Sequence, residues 1–125
     1  MKELDKMLFE LFKTNKTAII PFQQIVDSFP EKGVKYDMGK GKWIELVELK
    51  ENSILIKCFM PKGTYYTNNV HFDADEIVTI ITGYIENKNF RLKKKSMGQF
   101  SWKAGVVHDL KALEDSLFYA LLEKV

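Results

Sequence analysis

The sequence predicts an all-β domain, a sandwich or barrel of short antiparallel strands behind one N-terminal helix. Three observations predict it. Past residue 40, apolar and polar residues alternate: Ile44 and Leu46 against Glu45 and Glu48, then Ile54, Ile56, Cys58 and Met60 against Lys57. Turn signals recur between the alternating runs, at Glu51-Asn52-Ser53, Pro61-Lys62-Gly63 and Lys103-Ala104-Gly105. No segment after residue 30 sustains a helical period, so crossover helices and a parallel sheet are not expected.

Taken in order, residues 2–13 read as a helix. Leu4, Met7, Leu8 and Leu11 recur at helical spacing, Phe12 widens the stripe, and Lys2, Glu3, Asp5 and Lys6 face water. From Thr17 onward the pattern changes to short strands and turns. Ala18, Ile19 and Ile20 precede Pro21, and Phe22, Ile25, Val26 and Phe29 lead to Pro30, which stops the segment. Residues 31–42 carry Gly33, Gly39 and Gly41 and read as loop. Their Gly-Lys-Gly-Lys run is not a phosphate loop, because the glycine spacing is wrong and no Ser or Thr follows the lysine. Strands are then expected over 43–49, 54–60, 65–71, 76–82, 84–86, 90–93, 99–102, 106–110 and 117–122. The chain thus divides into an N-terminal helix and arm, 1–30, and a barrel domain, 31–125.

Composition narrows the function classes. The 125 residues are 46% apolar and 29% charged, with a net charge of +2. That surplus is too small to argue for nucleic acid or an anionic membrane as partner. No apolar run approaches a membrane span, and charges interrupt the N-terminal apolar stretches too often for a signal peptide. Cys58 is the only cysteine, so no intramolecular disulfide forms, and a reducing cytoplasm is the expected compartment. Arg91 to Lys95 reads as a solvated strand edge protected by lysines.

The two histidines lie in two spaced patterns. In the first, Asn69 and His71 sit two apart on a strand and so share a face, with Tyr65 at the same parity. The turn from Phe72 to Asp75 returns Glu76 beside them. In the second, His108 follows the turn glycine Gly105. Asn69, His71 and Glu76 are therefore expected to lie side by side. Asp73 and Asp75 read as solvated turn residues, and Cys58 as a small buried side chain. Phe100 and Trp102 share a face, but the intervening turn hides their parity relative to His108.

These patterns resemble the two motifs of the cupin superfamily. Gly63, five residues, Asn69-Val70-His71, four residues, Glu76, six residues and Gly83 reproduce every spacing of the first motif, with Asn69 standing where a histidine belongs. In the second, Gly105 and His108 fit, Gly98 lies one residue too close, Lys103 replaces a proline and Ala112 an asparagine. The resemblance covers residues 40–125 and implies a cupin-type jelly-roll β-barrel with a site in its mouth.

It also implies one divalent transition metal (Fe, Mn, Ni or Zn) held by His71, Glu76 and His108, with Asn69 as a carbonyl donor. Two imidazoles and a carboxylate resemble the set that holds ferrous iron with open positions. The alternative for the same residues is direct hydrogen bonding to Glu76 without a metal. The expected function is a cytoplasmic protein that binds a small molecule through Tyr65, Asn69, His71, Glu76 and His108. The alternatives are a metal-dependent enzyme, an oxygenase or isomerase using His71, Glu76 and His108, and a packed scaffold. A homodimer is expected, formed by the strands before the first motif and the N-terminal arm, because the stripe on residues 2–13 needs a cover.

Overall fold

The alternating segments become two facing sheets. The computed structural model describes residues 17–29 and 31–125; the expected helix at 2–13 lies outside the described residues. The elements are β1 (Ala18–Ile19), α1 (Phe22–Asp27), β2 (Lys35–Gly39), β3 (Lys42–Leu49), β4 (Ser53–Met60), β5 (Tyr65–Val70), β6 (Ala74–Thr82), β7 (Tyr84–Asn87), β8 (Leu92–Lys95), β9 (Gln99–Trp102), β10 (His108–Ala112) and β11 (Ser116–Lys124). One sheet runs β1-β5-β10-β7-β8 and the other β2-β3-β4-β11-β6-β9. β10 lies between β5 and β7, and β11 between β4 and β6, so strands distant in sequence are spatial neighbours. This is the wiring of a jelly roll. The inner faces meet in a core that includes Ile54, Met60, Val78, Ile80, Ile85 and Phe100.

Three local expectations change. Phe22, Ile25, Val26 and Phe29, read as part of a strand-and-turn stretch, form and follow α1, and their spacing is in fact that of one helix face. Its Phe22 and Ile25 are buried, the Asp73 carboxylate accepts a hydrogen bond from the Phe22 amide at 2.9 Å, and β1 pairs in parallel with β5. Residues 18–29, read as arm, are thus packed into the barrel. The loop expected over 31–42 contains β2, an edge strand with only Met38 buried. One inward residue in five leaves too little alternation to read. The strand expected at 90–93 is β8, starting at Leu92, because Lys88–Phe90 forms a 3-10 turn and Arg91 takes a left-handed conformation. Among the described residues, no helix is long and apolar enough to cross a membrane.

One buried cation sets a stability prediction. Lys42 opens β3 at an inward position and is 2% exposed. Its ammonium donates to the Tyr65 carbonyl at 2.9 Å and lies 4.2 Å from the centre of the Tyr66 ring. Burial, aided by the charge of Lys40, lowers its pKa to about 7. The unfolded chain keeps this proton up to 10.5, so between about 7 and 10.5 it holds more protons than the folded chain. Stability should therefore rise with pH across that window, by at most about 1.4 kcal/mol per pH unit. Urea unfolding of the wild type and of Lys42→Met checks this: the variant should lose the slope, and an unchanged slope would assign it to another group.

Candidate functional site

The end of β5, the start of β6 and the start of β10 meet at one mouth of the barrel. His108 stands opposite Asn69, and Glu76 lies between Leu122 of β11 and Trp102 of β9. His71 follows β5 directly. Glu76 Oε1 is 3.1 Å from His71 Nε2 and 3.0 Å from His108 Nε2. Asn69, His71, Glu76 and His108 are all buried and line a single cavity of about 100 Å³.

The backbone decides which nitrogens face that point. His71 Nδ1 is 2.9 Å from the Ile20 carbonyl, and His108 Nδ1 is 3.2 Å from the Val106 carbonyl. A carbonyl only accepts, so each Nδ1 carries a hydrogen and each neutral ring turns its Nε2 lone pair toward Glu76. Glu76 Oε1 is buried and receives no aligned hydrogen bond. Two lone pairs and a carboxylate oxygen thus crowd one buried point, and a cation among them relieves the repulsion. The three ligand atoms lie within 4.8 Å of one another, a spacing that suits a metal ion. The donor set fits a divalent ion.

With no cation bound, the electrostatics favour a proton on His71 in the cation's place. Burial disfavours a charged His71, yet the Glu76 carboxylate, the Ile20 carbonyl and Asp73 together hold its pKa above the ordinary value. Burial would raise the pKa of Glu76, but His108 and His71 hold it well below the usual carboxylate range. Burial, with the Glu76 charge, pushes the Cys58 thiol far up, which keeps it protonated and unreactive.

Not every expected residue arrives. Tyr65 is exposed and lines a groove on the outer face of the first sheet, and Tyr66 takes the inward place. The cause is a bulge. His108 pairs with Asn69 but Leu110 pairs with Tyr66, so Thr67 and Asn68 together face Asp109, and parity flips. The Asn69 amide nitrogen spans the irregularity, within 3.3 Å of the Thr67 carbonyl and 3.4 Å of the His108 carbonyl. Asp73 holds the start of α1, while Asp75 accepts from the Ala104 amide at 2.7 Å and lies 3.7 Å from the Lys103 ammonium. Both tie loops rather than stand free in a turn.

One support of the site is absent from the sequence reading. The Trp102 indole stacks on His108, with centroids 4.0 Å apart and planes within 7°. Its Nε1 donates to Asn87 Oδ1 at 3.2 Å, and the Asn87 amide donates to Asp109 at 2.9 Å. Asn87 is fully buried. Its signal was an amide two residues after the inward Ile85, at core parity.

No protein-family profile matches this chain, and no curated protein matches it. Solved structures do. KdgF from Halomonas sp. superposes with a TM-score of 0.69 at 20% identity, over 74% of this chain and 86% of that one. An RmlC-like cupin from Shewanella frigidimarina gives 0.68 at 14% identity, over 78% and 89%. The cupin domain of Schizosaccharomyces pombe Cnp3 gives 0.66 at 15% identity, over 74% and 69%. At such identities the likeness is one of fold, and together with the strand order and the motif spacing it establishes that this chain has the cupin fold.

Proposed function

We propose that this chain binds a small molecule inside its barrel through one divalent transition metal (Fe, Mn, Ni or Zn) held by His71, Glu76 and His108. The observation that carries the reading is the turning of both Nε2 lone pairs onto a buried carboxylate oxygen that has no aligned donor. Asn69 would join the set only through its Oδ1, since its amide nitrogen serves backbone carbonyls. A bound divalent ion would supply Lewis acidity toward a ligand oxygen. The protein residues do the rest. Trp102 fixes the plane of the His108 ring, the Ile20 and Val106 carbonyls fix both tautomers, and the aliphatic walls exclude water. Binding rather than catalysis is favoured because, beyond the three ligands, the wall of the cavity is mostly apolar. Its thiol, Cys58, stays protonated. A reducing cytoplasm is the proposed compartment, consistent with one buried, unpaired cysteine.

Calorimetric titration with Zn²⁺ or Co²⁺ tests the reading. One ion per chain is expected, with affinity falling as the pH is lowered, because both imidazoles must be neutral to ligate. Absence of binding at neutral pH would overturn it.

We also propose a homodimer that uses the outer face of β3, β4 and β11. Trp43 stacks on Phe59 with centroids 5.8 Å apart, and both are only half-buried. Leu55, Leu121 and Ile77 lie on the same face, beyond a row formed by Glu45, Lys57 and Tyr119. The exterior of an antiparallel sheet is ordinarily polar, and large apolar side chains gathered on it, here around a Glu45–Lys57 pair, suit an association surface. Sedimentation should give twice 14.6 kDa, and Trp43→Glu should give the monomer mass. A wild-type monomer at tens of micromolar would refute the dimer.

A further inference from the structure

The cavity beside the candidate metal centre carries its ionisable carboxylate and imidazoles at one end only. Register sets its layers. The first layer holds Glu76, His108 and Asn69, with Leu122 across from Glu76. One step deeper, Ala120 pairs with Ile56 on one sheet, and Leu110 lies on the other. A further step brings Phe118 beside Cys58. Ile20, Ile25 and Ile44 add to the wall, and Tyr66, paired with Leu110, brings a phenol to it.

We infer that the ligand is a short aliphatic monocarboxylate of about two to four carbons. Its carboxylate meets the cation at His71, Glu76 and His108, and its chain lies against Ala120, Ile56, Leu110 and Phe118. The inference rests on the metal reading above and adds the ligand class to it. Size is the first argument. A cavity of about 150 Å³ accepts benzene, so one of about 100 Å³ takes roughly four non-hydrogen atoms, with the head group at its open mouth. Charge is the second. A divalent ion with two neutral imidazoles and the Glu76 carboxylate leaves one net positive charge in a buried place. A single anionic head group cancels it, whereas a neutral ligand leaves it and a dianion overshoots. The wall is the third. Beyond the first layer the lining is hydrocarbon apart from Tyr66 and Cys58, so most hydroxyls of a sugar or polyol would be desolvated without a partner.

The test uses the full chain loaded with Co²⁺, whose visible absorption reports a change of ligand at the ion, together with calorimetry. Butyrate is expected to shift the Co²⁺ bands. It should bind at least about tenfold more tightly than 3-hydroxypropionate, which has its size and charge but ends in a hydroxyl, and than butyramide, which has its shape without the charge. Hexanoate and glucuronate should likewise fall about tenfold or more below butyrate. Ala120→Leu should keep Co²⁺ uptake and lose butyrate affinity by about tenfold. Should that variant fail to fold, Ile56→Val, which widens the same layer, should move the preference toward pentanoate. Equal binding of the hydroxylated or uncharged analogue, or no band shift with any monocarboxylate, overturns the ligand class and leaves the metal reading standing. Failure of Co²⁺ to bind the wild type overturns both.

Discussion

Replacing His71 or His108 by Ala is expected to lower divalent-ion affinity by about a hundredfold or more. Each ring supplies one of three convergent donors, and each is already held in the ligating tautomer by a backbone carbonyl, at 2.9 Å for His71 and 3.2 Å for His108. Loss of a supporting group alone typically costs about 10- to 100-fold, and loss of the donor itself should cost no less. Asn69→His should act in the opposite sense, adding an imidazole in the same buried layer. Metal content after equilibrium dialysis against Zn²⁺ measures all three variants, with circular dichroism to establish that each is folded. A folded His71→Ala protein that retains its full complement of metal would remove His71 from the site, and with it the present assignment.

Gly83→Ala is expected to destabilise the fold by about 3 to 5 kcal/mol, the range of severe core lesions. Gly83 closes the first motif between β6 and β7 with φ of +114°, where an L side chain is strained. A Cβ there would also come within 2.6 Å of the Asp115 carbonyl oxygen and of the Ser116 Cα, both backbone atoms that cannot swing aside. The side chain of Ser116 is committed as well. It accepts from the Tyr84 amide at 3.1 Å and donates to the Glu114 carbonyl at 2.8 Å, in a fully buried position. The turn that crosses from β10 to β11 would have to withdraw. Gly63 and Gly105 also have positive φ, at +86° and +87°, but a Cβ at either meets nothing within 4 Å. Alanine there should cost only about 1 kcal/mol. Thermal unfolding of the three variants checks the contrast. Equal losses would mean that conformational strain alone, and not the close approach of the β10–β11 turn, accounts for the glycine at 83.

Much of the architecture was readable along the chain, because a strand with one buried face writes its period directly into the sequence. The alternation at 43–49, 54–60 and 117–122 appears as β3, β4 and β11, and the spacing from Gly63 to Gly83 led to the neighbourhood of His71 and Glu76. The helical spacing of Phe22, Ile25, Val26 and Phe29 was equally present, but a six-residue helix offers too few turns to be told from an apolar loop. Other features had no local signal. Tyr65 and Tyr66 exchange faces because Thr67 and Asn68 bulge against Asp109, and that register is set by a strand some forty residues away. Trp102 reaches His108 only because two sheets close on each other, and the tautomers of both histidines depend on carbonyls from the α1 segment and the β9–β10 loop. By itself the sequence determined the strands, the turns and the residue types available for a site. The tertiary structure alone decided which tyrosine faces inward and where each imidazole lone pair points, because pairing across sheets is non-local and a one-residue shift in it reverses every side chain beyond.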